Sequence, residues 1–253
     1  MRVISGSSYG FNAPTAISAA GYDVWVANGN DSVTELSAST GALVRVINGS
    51  SYGFNAPTAI TSSVTDVWVV NSRNDSVTEL SASTGALVRV INGFNAPTAI
   101  TLDGAHVWVA NFDGSVTELS ASTGALVRVI SSSSYGFKVP RGITSSVTDV
   151  WVANGNDSVT ELSASTGALV RVISRSSCGF NAPTAITSSV TDVWVANLEG
   201  NSVTELSAST GNLVRVISGS SYGFNRPTAI SLGGAHVWVV NPLTFSVTEF
   251  PDS

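Results

Sequence analysis

The triplet Val-Trp-Val recurs six times along the chain, around Trp25, Trp68, Trp108, Trp151, Trp194 and Trp238, each time inside the same pattern of apolar and polar positions. The pattern runs Pro-Thr-Ala-Ile, a short polar connection, Val-Trp-Val-Ala-Asn, a variable loop, Ser-Val-Thr-Glu-Leu, the turn Ser-Ala-Ser-Thr-Gly, then Leu-Val-Arg-Val-Ile. Four runs per copy are rich in Val, Ile, Thr and Trp and are separated by Gly, Ser, Asn and Asp, which predicts four short strands joined by tight turns. No helical period competes. The second run, for example Val67-Trp68-Val69-Val70, is apolar at consecutive positions. Because neighbouring strand residues point to opposite faces, that strand must be covered on both sides. Small sheets therefore stack face to face. A repeat of four strands at this spacing, without an atypical capping copy, predicts an all-β, six-bladed β-propeller with four-stranded antiparallel blades, one domain spanning 1–253.

The two ends of the sequence carry a second regularity. Each complete repeat sets a Glu and an Arg ten residues apart: Glu35 with Arg45, Glu79 with Arg89, Glu118 with Arg128, Glu161 with Arg171, and Glu205 with Arg215. Glu249 has no such Arg after it, while Arg2 has no Glu before it. The expectation is that residues 1–4 complete blade six beside Ser246–Phe250, closing the ring and covering an open edge. A five-residue turn over Ala38–Ala42 would place Glu35 opposite Arg45, a cross-strand pair worth roughly 0.2 to 1 kcal/mol.

The Pro-Thr-Ala-Ile, Val-Trp-Val-Ala-Asn, Asn-Asp turn and Ser-Val-Thr-Glu-Leu segments resemble the NHL and YVTN repeat families and the streptogramin lyase type of six-bladed propeller. The resemblance covers all six repeats and is carried by scaffold positions. It implies the propeller fold, and propellers of this kind serve as binding modules, sensors and enzymes. The lyase and gluconolactonase types gather acidic or histidine side chains with a divalent metal near the channel mouth. Those positions have no match here.

Charge narrows the functional classes. With 11% charged residues, a net charge of -6 and a pI near 4.7, the chain lacks the basic face that tracking nucleic-acid phosphates requires. The apolar fraction of 43% supplies a core, and no run approaches a membrane span. No signal-peptide core follows Met1, so the chain is expected to be soluble, monomeric and, if whole, cytoplasmic. Because it begins in mid-repeat, it is also readable as a piece of something longer. The lone Cys178 stands where other copies have Tyr52, Tyr135 and Tyr222, and it can form neither an internal disulfide nor a thiolate metal cluster. His106 and His236 stand where other copies have Asp23, Asp66, Asp149 and Asp192, three blades apart, and read as exposed strand-start residues. Neither a His-Glu-x-x-His, nor a phosphate-gripping glycine loop, nor a Gly-x-Ser-x-Gly elbow occurs. No cofactor, metal or catalytic residue is expected.

Candidate chemistry collects on one rim. In a four-stranded meander the loops between the second and third strands share an end with the inter-blade linkers, here called the top. These loops differ among copies, whereas Ser-Ala-Ser-Thr-Gly at the opposite end appears five times. Once the ladder arginines are set aside, the basic residues Arg73, Lys138, Arg141, Arg175 and Arg226 all fall at the top, leaving the bottom acidic. Blade four reads Phe137-Lys138-Val139-Pro140-Arg141-Gly142 where the others read Phe-Asn-x-Pro-Thr-Ala. Lys138, Arg141 and Arg226, with Asn12, Asn55, Asn95, Asn181 and Asn225 beside them, are candidate contacts for a small polar or anionic ligand. The Phe and Trp sets read as core wedged between blades. The function expected is a non-catalytic binding scaffold whose ligand or protein partner docks at the top. The alternatives are a metal-dependent lyase or lactonase and a purely structural repeat domain of a larger sensor or surface protein.

Overall fold

Short β-rich runs punctuated by turn residues become strands of five to seven residues in the computed structural model, which describes residues 3–174 and 176–252. The chain divides into two compact units, Met1–Asn111 with Thr117–Arg128, and Phe112–Val116 with Val129–Ser253. In the first unit, β1 (Pro14–Ala20), β2 (Asp23–Asn28), β3 (Ser32–Ser37) and β4 (Leu43–Asn48) form one antiparallel sheet in chain order. A second is built the same way from β5 (Pro57–Ser62), β6 (Asp66–Asn71), β7 (Ser76–Ser81) and β8 (Leu87–Asn92). The third comprises β9 (Pro97–Leu102), β10 (His106–Asn111), β11 (Ser115–Ser120) and β12 (Leu126–Ile130).

The second unit holds β13 (Pro140–Ser145), β14 (Asp149–Asn154), β15 (Ser158–Ser163) and β16 (Leu169–Ile173) as one sheet. The next sheet is β17 (Pro183–Ser188), β18 (Asp192–Asn197), β19 (Ser202–Ser207) and β20 (Leu213–Ile217). The last has three strands among the described residues, β21 (Ala229–Gly233), β22 (His236–Asn241) and β23 (Ser246–Pro251). Val3 and Ile4, expected as its fourth strand, lie outside any strand, and Met1 and Arg2 lie outside the described residues.

Alternation along the second strand explains its unbroken apolar run. In the first unit Trp25, Ala27, Val33 and Ile47 of the first sheet pack on Phe54, Ile60, Val67, Val69 and Leu80 of the second. The opposite face of that second sheet, Trp68, Val70 and Val77, packs on Phe94, Ile100, Val107 and Leu119 of the third. The second unit repeats the arrangement, with Trp151, Ala153 and Val159 against Ile186, Val193 and Val195, and Trp194 and Val203 against Phe224, Val237 and Val239. Phe54, Phe94, Phe180 and Phe224 are thus interlayer wedges, and Tyr52–Phe54, Tyr135–Phe137 and Tyr222–Phe224 stack on one another at 5.6 Å.

The charged ladder forms in register. Trp25 faces Glu35 and Glu35 faces Arg45, and the same rung recurs with Glu79–Arg89, Glu161–Arg171 and Glu205–Arg215. Arg Nε to Glu Oε2 is 2.7 Å in the pairs of Glu35, Glu79, Glu118 and Glu161, and Glu205 is held still closer by Arg215. Ser37 and Ala42 close the five-residue turn, with Gly41 at φ 65°. After Glu35 the register slips to Leu36 opposite Leu43, so the outer strand carries a bulge at Val44.

Candidate functional site

The top loops are held by contacts that join neighbouring sheets. Asp31, Asp75 and Asp157 adopt positive φ, and their Oδ1 atoms accept the backbone N–H of Ala56 (2.7 Å), Ala96 (2.8 Å) and Ala182 (2.7 Å). Asn201 does the same for Arg226 N–H at 2.8 Å. The recurrent Asn-Asp pair is therefore a clamp onto the next blade, and its acids are structural. Below it, the strand-ending Asn28, Asn71, Asn154, Asn197 and Asn241 are buried and donate to the Thr of the third strand at 3.0 to 3.1 Å. That Thr donates to the linker carbonyl of Tyr9, Tyr52, Tyr135, Cys178 or Tyr222. Cys178 thus keeps the backbone role of the tyrosine it replaces, and its side chain is buried.

Asn12, Asn55 and Asn181 use their carbonyls to receive the loop N–H groups of Gly29, Arg73 and Gly200. Asn55, Asn181 and Asn225 donate their N–H groups to the side-chain oxygens of Asn71, Asn197 and Asn241. Their backbones set the linker's shape, and Asn95 occupies the corresponding place in β9's approach. The first unit contributes Asn12, Asn55 and Asn95, and the second contributes Asn181, Asn225 and all three cations.

Five inner strands, β1, β5, β9, β13 and β17, begin with a bulge, and the bulged position decides what faces the rim. Pro57 pairs with Asn71 and Ala59 with Val70, so Thr58 is skipped; Thr15 and Thr184 are skipped in the same way. The hydroxyl of Thr15 reaches the carbonyls of Ala27 (3.2 Å) and Pro57 (2.7 Å), and Thr184 those of Ala196 (3.3 Å) and Pro227 (3.1 Å). Arg141 is the skipped residue of β13 and is exposed. Lys138, three residues before it, is also exposed, while its carbonyl accepts Gly155 N–H at 2.9 Å. Among the described residues neither cation is in an ion pair. Arg226 differs, for its Nη1 lies 2.8 Å from Glu199 Oε2. Bulges re-aim side chains, and here one aims a guanidinium where Thr15, Thr98 and Thr184 place a satisfied hydroxyl.

Blade three shows a coupled exchange that the sequence reading missed. Asp103 stands where Ser63 is, and its Oδ1 accepts the N–H groups of Ala105 (3.0 Å) and His106 (2.7 Å), as Ser63 Oγ does for Thr65 and Asp66. Its Oδ2 accepts from Trp108 Nε1 at 2.9 Å. His106 is partly buried between two acids, with Nδ1 3.4 Å from Asp103 and Nε2 3.6 Å from Glu118. The carboxylate and the other member have changed places around the turn. His236 remains exposed, 3.8 Å from Glu249. Among the described residues no three His, Cys, Asp or Glu side chains come together as a metal site, and no helix is long and apolar enough to cross a membrane.

Burial acts strongly on the ladder. It pushes the carboxyls of Glu35, Glu79, Glu118 and Glu161 upward, against the opposing pull of Arg45, Arg89, Arg128 and Arg171, and Glu79 and Glu161 reach about 7. The neighbouring Asp23, Asp66, Asp103 and Asp149 add to the rise. The rise recurs at these four rungs of one repeated motif, so it belongs to the scaffold.

No protein-family model matches the chain, and no curated protein matches it in sequence. Among solved structures, a streptogramin B lyase is similar at a TM-score of 0.74 and 17% identity, over 95% of this chain and 83% of that one. At that identity the likeness shows the fold alone: an all-β, six-bladed β-propeller, the class expected from the repeats.

Proposed function

We propose that the chain is a non-catalytic binding scaffold that takes a small anionic or polyhydroxylated ligand at the top rim of its fourth blade. The observation that carries this reading is Arg141, a bulged and exposed guanidinium in a position that Thr15 and Thr184 occupy with hydrogen-bonded hydroxyls. Lys138 supplies a second charge, and the two cations suit a carboxylate or phosphate group. Arg226, already engaged by Glu199, serves as a rim group that an anion would have to compete for. Titration with citrate and with inorganic phosphate, followed by backbone NMR, is expected to move the signals of residues 138–142. The double substitution Lys138→Ala with Arg141→Ala should weaken that response at least tenfold; an unchanged response rejects the assignment.

One second reading is a metal-dependent lyase or lactonase-type enzyme, compatible with the propeller fold that the chain shares with a streptogramin B lyase. Metal analysis of the purified protein separates the two, since the enzyme reading requires a stoichiometric divalent ion.

A further inference from the structure

At the bottom, the turn from the first to the second strand has the same build in three blades. Ser63, Ser146 and Ser189 each accept the N–H groups of the next Thr and Asp, at 3.0 to 3.3 Å. Thr65, Thr148 and Thr191 donate to the carboxylates of Asp66, Asp149 and Asp192 at 2.5 to 2.6 Å. The Ser and Thr hydroxyls of the turn are thus committed to its shape. The remaining residue, at the tip, is a valine: Val64, Val147 or Val190. Val147 and Val190 are 91% and 93% exposed, although a polar residue there would cost the turn nothing.

The tips do not stand alone. In the second unit Val147 and Val190 line one groove of about 220 Å³ together with Asp149 and Ala208. That is several times the roughly 30 Å³ share of a water molecule, room for an aliphatic side chain. The first unit sets the turn of its first blade, which carries exposed Tyr22, against Val64: a Cβ added to Gly21 would lie 3.2 Å from Val64 Cγ1. Charge selects the partner. Arg171 and Arg215, the basic groups of blades four and five at this end, are each tied to a buried glutamate. Asp149, which lines the groove, and Asp192, in the turn that carries Val190, are in no ion pair with them. A second copy of the chain would bring like charges together, and a neutral apolar surface would leave the carboxylates unanswered.

We propose that the groove between Val147 and Val190 docks a cationic, amphipathic polypeptide segment, an aliphatic side chain entering between the valines and flanking Lys or Arg residues meeting Asp149 and Asp192. This surface lies opposite the rim assigned above and stands without that reading. The test uses the full chain and an acetylated Lys-Leu-Lys-Leu-Lys-Leu-Lys peptide, followed by NMR at low salt. Signals of residues 146–149 and 189–192 should shift, and affinity should fall as salt rises. The pair Val147→Ser and Val190→Ser, at exposed tips, should leave melting unchanged and weaken binding at least tenfold. Asp149→Asn with Asp192→Asn should remove most of the salt dependence. The proposal is overturned if the peptide does not bind at millimolar concentration, if a Glu-Leu peptide binds equally well, or if the serine variant binds unchanged. It is equally overturned if the valines instead mediate self-association or attachment to anionic lipid vesicles.

Discussion

The second and last blades carry nearly the same second and third strands and place them in different surroundings. Trp68 is fully buried, whereas Trp238 is 40% exposed. Val70 and Val77 are buried, and their counterparts Val240 and Val247 are exposed. The Glu79 side chain is 3% exposed with Arg89 at 2.7 Å, while that of Glu249 is 45% exposed and has His236 at 3.8 Å. The motif Val-Trp-Val therefore makes a strand in both places, but it does not bury itself. Trp68 is buried because Phe94, Ile100 and Val107 of the next sheet lie over it. Glu79 is buried because β8 brings Arg89 across it, and the described part of the last sheet has no fourth strand to do so.

The sharpest way to break the comparison is to remove the indole from each blade. Trp68→Ala should cost about 3 to 5 kcal/mol, the range for emptying a packed aromatic site. Trp238→Ala should cost less than half as much, because part of that ring already meets solvent. Urea unfolding of both variants decides it; equal losses would mean that Trp238 is covered in solution as fully as the others.

A second test uses pH. Glu79 and Glu161 titrate near 7 in the folded chain against an ordinary 4.5, so folding holds their protons more tightly than the unfolded chain does. Their contribution to stability is complete below about 4.5 and is lost as pH rises through 7. Melting temperature should therefore fall between pH 5 and pH 8, and Glu79→Gln should flatten that fall. A variant with an unchanged slope would separate burial from titration at this rung.

The smallest effect concerns the top clamp. Asp75 ties its blade to Ala96, whereas the corresponding Phe245 of the last blade is exposed. Asp75→Ala should cost about 1 kcal/mol, the worth of one hydrogen bond with its orphaned donor. Phe245→Ala should change stability by no more than about 0.5 kcal/mol, as surface positions do. Chemical denaturation of the two variants resolves the difference.

Much of the fold was legible because its information is local and repeated. The alternation in Val-Trp-Val-Ala-Asn, the turn residues between runs and the ten-residue spacing of Glu and Arg specify strands, hairpins and register over a few residues each. The bulged rim position of Arg141 was legible only as a break in a repeated motif. Its exposure, and the pairing of Arg226 with Glu199 twenty-seven residues earlier, depend on how one blade's linker meets the previous blade's loop. The roles of Asp31, Asp75 and Asp157 were hidden for the same reason: a turn acid that clamps a neighbour looks in sequence like one that faces solvent. His106 was hidden by its partner Asp103, whose replacement of a serine is intelligible only once both share a turn.

By itself, then, the sequence determined the strands, their order within each blade and the rungs that hold them in register, since these follow from side-chain period and turn chemistry within a repeat. Tertiary structure alone decided which copies of an identical motif are buried, which acids are clamps and which valines line a groove. Those outcomes depend on what the neighbouring sheet brings against each face, and six nearly identical repeats cannot differ in that through their local sequence.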